Sequence, residues 1–120
     1  MSDWAGNNRY AQYKYFKVDP QSNYYKLTVY GFSGTVPDDF GYQSGNYFFT
    51  ADAPDQYGCA QHMNGGWWYY YCAYANLNGV YYHSAKYYPN SYGFYDGIYW
   101  KDWGGFDYSL KHVSMTLYRN

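Results

Sequence analysis

The sequence predicts a domain of strands and loops with little helix. Three observations carry this. The chain holds 22 tyrosines, 7 phenylalanines and 5 tryptophans in 120 residues, against one isoleucine, Ile98, and four leucines. Large rings of this kind fit a pleated, half-buried surface. All nine acidic residues are aspartates. Aspartate bonds to nearby backbone and favours turns, whereas glutamate, absent here, favours helix. Finally, several short windows alternate apolar and polar residues, the period of a strand. A core built this way must find a hydrogen-bond partner for each buried hydroxyl and indole N–H.

The elements follow in order. Residues 10–18 alternate weakly and read as a strand, and Asp19-Pro20-Gln21-Ser22-Asn23 is a turn cluster. Residues 24–32 form the clearest strand, with Tyr25, Leu27 and Val29 on one face and Tyr24, Lys26, Thr28 and Tyr30 on the other. Residues 33–43 read as a loop in which Pro37-Asp38-Asp39 starts a short helical turn. A short apolar strand at 47–50 precedes an irregular stretch at 51–58. Trp67 to Tyr71 reads as a buried strand; 79–83 and 97–100 are further short segments, and 84–93 is a long aromatic loop. Residues 108–118 read as a closing strand with Leu110, Val113, Met115 and Leu117 as core candidates, and its alternation slips once, as at a bulge.

The length suits one domain with a modest core. A net charge of −1 leaves no electrostatic footprint for nucleic acid or an anionic membrane. No apolar run is long enough to span a bilayer. There is no Asn-x-Ser/Thr glycosylation site, and the opening Met1-Ser2-Asp3-Trp4 has no secretory pattern. Cys59 and Cys72 are the only cysteines. From the residues alone they are either a disulfide, worth roughly 3 kcal/mol in the chain-entropy model, or two buried thiols.

An ordered series of motifs resembles the C-terminal part of the fibrinogen-related domain. It runs through Asp3-Trp4-Ala5-Gly6-Asn7, Tyr10-Ala11, Tyr13, Phe16-Lys17-Val18, Tyr25-Lys26-Leu27 and Phe32-Ser33-Gly34. The cysteine-framed segment 59–72 follows, then Asp96-Gly97-Ile98-Tyr99-Trp100, Trp103, Tyr108-Ser109-Leu110-Lys111, Val113 and Met115. The resemblance implies an α+β architecture: a twisted, mostly antiparallel sheet region (1–50), a loop-rich ligand subdomain (51–107) and the closing strand (108–120). It also implies a Cys59–Cys72 disulfide and hence an extracellular, oxidising setting. The family domain is longer, and its N-terminal subdomain has no counterpart in this sequence. An uncovered sheet edge, and with it a homo-oligomer or filament, is therefore expected.

The resemblance also places candidate sites. The family's calcium loop maps onto 52–59, shortened, with Pro54 where a second aspartate belongs. Asp52 and Asp55 are the remaining carboxylates; calcium takes six to eight oxygens, and two carboxylates in a shortened loop could hold it only weakly. The favoured reading is that they are solvated turn formers, with no cofactor expected. The family's ligand pocket, which takes an acetyl group in lectin-like members and a peptide N-terminus in clotting members, maps onto His62, Met63, Tyr71, Ala73, Phe94 and Tyr95. Ala73 stands where the family often has histidine. Tyr95 stands where the clotting members carry an acid, so the chemistry for an ammonium group is absent. An aromatic cup able to stack on a sugar or hold an acetyl methyl is left. The family's bond before the second cysteine is typically cis; here it is Tyr71-Cys72, whose isomer the residues leave open. His62, His83 and His112 lack metal-ligand spacing, and no nucleophile or phosphate-loop motif is present. The expected function is non-enzymatic extracellular recognition of a carbohydrate or acetylated ligand. The alternative is a tyrosine-rich structural protein self-assembling into oligomers or filaments, in a matrix or adhesive role with tyrosine modified or cross-linked.

Overall fold

The computed structural model describes residues 1–119. Two antiparallel strands, β1 (Ala11–Val18) and β2 (Leu27–Gly34), form a hairpin in which Val18 faces Leu27 and Ala11 faces Gly34. Leu27 and Val29 are buried, and Phe32, Tyr13 and Phe16 are partly buried beside them. The inward face changes parity across Lys14 and Gly31. Gly31 takes φ +78°, and a Cβ there would lie 2.8 Å from the Lys14 Cβ, so only glycine lets the strand turn Phe32 inward.

The expected strand at 24–32 begins three residues late. Asp19 accepts from the Asn23 side chain at 2.6 Å, a short 3-10 turn spans Gln21–Asn23, and Tyr24 and Tyr25 then take left-handed conformations. Their carbonyls are used elsewhere: Tyr24 accepts from the Phe48 N–H at 3.0 Å and Tyr25 from the Trp68 indole at 2.8 Å. Tyr25 is therefore 44% exposed instead of sharing the face of Leu27 and Val29. A second 3-10 turn, Phe40–Gln43, follows the Pro37-Asp38-Asp39 signal, and Asp38 accepts from the Gly41 N–H at 2.9 Å.

The single α-helical turn among the described residues, α1 (Cys59–His62), buries Cys59 and Ala60. A second antiparallel pair joins β3 (Ala75–Asn76) to β4 (Tyr99–Trp100), all four residues buried. Helix is scarce, as the composition implies, and both sheets are small and antiparallel, as the resemblance implies.

Trp67 to Tyr71 is not a strand. Trp67 exchanges both backbone bonds with Phe49, and the pairing stops there. Trp67, Trp68 and Tyr69 are all buried, but no ladder holds them. Instead each sends its polar atom to a different carbonyl: Trp67 Nε1 to Ala75 at 2.7 Å, Trp68 Nε1 to Tyr25 at 2.8 Å and Tyr69 Oη to Gly65 at 2.6 Å. The 47–50 segment likewise keeps only isolated bridges, Phe49 to Trp67 and Thr50 to Ala53.

The closing strand also fails to form. Among the described residues, its ladder contacts are His112 with Ser2 and Tyr108 with Lys86. Leu110 is buried and Val113 half-buried, but Met115 is 46% and Leu117 67% exposed. Alternation is necessary for a half-buried strand but does not supply a partner, and here none lies alongside. Asn120 falls outside the described residues.

Candidate functional site

The Cys59–Cys72 disulfide joins α1 to the turn after the tryptophan run, with the two Cα atoms 5.2 Å apart. Asp55 holds the start of α1. Its carboxylate is buried and accepts from the N–H groups of Ala60 at 2.9 Å, Cys59 at 3.2 Å and Tyr57 at 3.3 Å. Those are orphan donors of a helix start, which a carboxylate also favours electrostatically. Asp52 is exposed and accepts from the Thr50 hydroxyl at 2.6 Å, a bond that holds its carboxyl below the usual range. Both expected calcium-loop residues thus have partners within the protein. Among the described residues no three His, Cys, Asp or Glu side chains gather as a metal site.

On the Cys72 side, an open cleft of about 210 Å³ is lined by Met63, Tyr71, Ala73, Phe94 and Tyr95, together with Cys72, Gly93, Tyr99 and Phe106. Five of the six residues mapped from the sequence therefore meet in one place. His62, the sixth, stands behind the wall: its ring stacks on Phe94 at 5.2 Å and lies 4.3 Å from Tyr92. The peptide bond between Tyr71 and Cys72 is trans. Both residues instead take left-handed φ, 51° and 64°, which costs energy for residues with a Cβ and persists only where the surroundings enforce it. The disulfide and the Tyr70 N–H to Cys72 carbonyl bond at 2.9 Å supply that constraint. The result leaves Tyr71 64% exposed at the rim, with Met63 and Ala73 buried at the base.

Tyr99 and Phe106, which the sequence did not single out for the cleft, line it, and Asn90 and Asp96 lie in the bonds that hold its neighbouring segments. Tyr99 reaches it from β4, donating to the Ala73 carbonyl at 2.8 Å, and Phe106 meets Tyr99 edge-on at 5.2 Å. Asn90 shapes the loop that carries Phe94: its side chain accepts from the N–H groups of Tyr92 and Phe94 and donates to the His62 carbonyl at 2.6 Å. The Pro89-Asn90-Ser91 run signals a turn but not this role. Asp96 is buried and accepts from Tyr82 at 2.5 Å and from Asn64 and Asn90 at 3.2 Å. Partial burial, then the Asp96 bond, push the Tyr82 hydroxyl up to about 12. Burial likewise raises Tyr99 and Tyr87, so these phenols stay protonated as donors.

No acidic or basic side chain lines the cleft. It is an apolar cup with Met63, Ala73 and Phe106 in its lining, bordered by Tyr71 and Tyr95, suited to a small neutral group. A second, larger cleft of about 430 Å³ lies around Tyr47, Pro54, Tyr57 and Tyr70, with the fully bonded Asp55 carboxylate in its wall.

Comparison with known proteins places this geometry. The family model of the C-terminal globular domain of fibrinogen beta and gamma chains matches residues 1–119. Human angiopoietin-related protein 6 is 35% identical over 98% of this chain, and mouse angiopoietin-related protein 7 is 40% identical over 98%. The chain spans only 25% and 35% of those two relatives' lengths. Among solved structures, the fibrinogen-like globe domain of human ANGPTL2 shares 39% identity at a TM-score of 0.85, aligned over 92% of this chain and 51% of its own. Lamprey fibrin D-dimer, solved with the peptide Gly-His-Arg-Pro-amide, shares 29% identity at a TM-score of 0.86, over 92% of this chain and 41% of its own.

Proposed function

This chain belongs to the fibrinogen C-terminal domain family, and we propose that it is a non-enzymatic extracellular recognition domain whose Met63–Ala73–Phe94 cleft takes a neutral acetyl group or acetylated sugar. One observation carries the proposal: the cup assembled from residues 63, 71–73, 93–95, 99 and 106 is apolar at its base, bears tyrosines at its rim and lacks charge. Its volume of about 210 Å³ suits a small group. A methyl would gain from leaving water against Met63 and Ala73, while a tyrosine hydroxyl donates to the carbonyl oxygen. A peptide ammonium would find no carboxylate in the wall. The disulfide supports an oxidising compartment.

Titration with N-acetylglucosamine, with glucose as the control lacking the acetyl group, followed by calorimetry or by NMR shifts, tests this reading. Binding of the acetylated sugar alone, with or without calcium, and its loss in Ala73→Trp, which fills the cup, is the expected result. No binding of the acetylated sugar in either condition removes the proposal.

A second reading, self-assembly, is favoured by the hairpin. Tyr15 and Tyr30 stack cross-strand, 4.7 Å apart and 9° from parallel, on its exposed face. β1 is an edge of that two-stranded sheet and so a template for another chain. Light scattering across a concentration series separates the readings. Assembly that Tyr30→Ser suppresses supports it, and a monomer at all concentrations ends it.

A further inference from the structure

Independently of any ligand, we propose that Tyr57 and Tyr71 are an oxidative coupling site, forming an intramolecular dityrosine that ties the 51–58 loop to the turn at Cys72. Their rings stack at 4.0 Å between centroids and 28° from parallel. Tyr71 is exposed and Tyr57 partly so, which leaves the pair open to a small oxidant. Neither residue lies in a helix or strand, so the rings can slide from stacked to edge-joined without breaking a ladder.

Other close pairs are less suited. Tyr42 and Tyr74 stack at 3.9 Å, but Tyr74 lies under the Lys101 ammonium at 4.3 Å, and that positive charge opposes removing an electron. Tyr15 and Tyr30 are held face to face by the β1–β2 ladder, where an edge-to-edge bond would pull the strands out of register. Tyr70, 5.1 Å from Tyr71 and 6.2 Å from Tyr57, is close enough to pass a radical to the pair.

The oxidant required is a peroxide acting through a peroxidase. Each phenol loses one electron and one proton to give a phenoxyl radical. The two radicals join through the ring carbons next to their oxygens, and each of those carbons returns its hydrogen to the phenol oxygen. Two C–H bonds are replaced by one C–C bond, and the two electrons and two protons reduce one hydrogen peroxide to two waters. The new bond runs parallel to the Cys59–Cys72 disulfide and, unlike it, survives thiol reduction.

The test is to treat the intact protein with peroxidase and hydrogen peroxide at high dilution. The monomer is then reduced and digested, and joined peptides are mapped by mass spectrometry beside dityrosine fluorescence. A dominant Tyr57–Tyr71 peptide is expected, lost in both Tyr57→Phe and Tyr71→Phe and retained in Tyr15→Phe. Cross-links scattered over exposed tyrosines such as Tyr88, or an unchanged monomer fluorescence in Tyr57→Phe, would overturn the assignment.

Discussion

Asp39 is 3% exposed, and its carboxylate accepts from the Asp102 N–H at 2.7 Å. Burial first, and the neighbouring Asp102 carboxyl second, push its pKa from 3.8 up to about 7. In the window between those values the folded chain holds a proton that the unfolded chain has released, so stability falls as pH rises from about 4 to about 7 and levels off above. Asp39→Asn keeps an acceptor for the Asp102 N–H and removes the titration. Urea unfolding across that range should therefore show a flatter pH dependence in the variant. Asp55 contributes through its hydrogen bonds. Asp55→Ala strips the cap from α1 and leaves buried N–H groups unpaired, at a cost of about 1–3 kcal/mol. That loss should read as a lower denaturation midpoint, equal in calcium and in chelator. At this scale, the sequence reads Asp55 as a solvated turn former, whereas its carboxylate is buried and takes donors from residues two, four and five positions on, a geometry that only the fold displays.

At the scale of elements, the disulfide and one glycine hold the loop-rich half together. Cys59→Ser with Cys72→Ser releases a closed loop with a sequence separation of 13, costing about 3 kcal/mol. Guanidinium unfolding of oxidised wild type against the double variant measures it. Gly79 lets Val80 pair with Gly97: a Cβ there would sit 2.3 Å from the Gly97 carbonyl oxygen and 2.6 Å from that of Asp96. These are backbone atoms that cannot step aside, so Gly79→Ala should cost about 1–3 kcal/mol through overpacking. A thermal scan would show it as a lowered midpoint. The hairpin was legible because β1 and β2 alternate and a turn cluster separates them. The strands expected at 67–71 and 108–118 were misread because ring-rich runs resemble buried strands, whereas a ladder needs a neighbour. Trp67 finds one residue to pair with, and the C-terminal run finds only Ser2 and Lys86 among the described residues.

For the whole molecule, thinness sets the terms. The Cα body measures 40 × 35 × 18 Å, about two side-chain layers deep. Such a slab cannot hide 34 aromatic rings, counted as 22 tyrosines, 7 phenylalanines and 5 tryptophans. Twelve tyrosines count among its exposed large residues. Trp67, Trp68, Trp100, Tyr69, Tyr87 and Tyr99 are buried, each with its polar atom bonded to a backbone carbonyl, while many other tyrosines become surface. A tyrosine-covered slab with a net charge of −1 has little long-range repulsion between copies. Its tendency to associate should therefore depend weakly on salt, and sedimentation at low and high ionic strength should give the same distribution.

The sequence by itself determined the composition of the core, the scarcity of helix, the β1–β2 hairpin and the family, because these rest on local preference and on an ordered series of motifs. It also named five residues of the cleft, through that resemblance. Tertiary structure alone decided that Tyr99, Phe106 and the Asn90 loop complete the wall, that Tyr71 and Cys72 turn left-handed instead of continuing a strand, and that Tyr57 lies against Tyr71. Each of these depends on a neighbour brought near by the disulfide and by single backbone bonds, and no pattern along a chain encodes which distant carbonyl a buried ring will find.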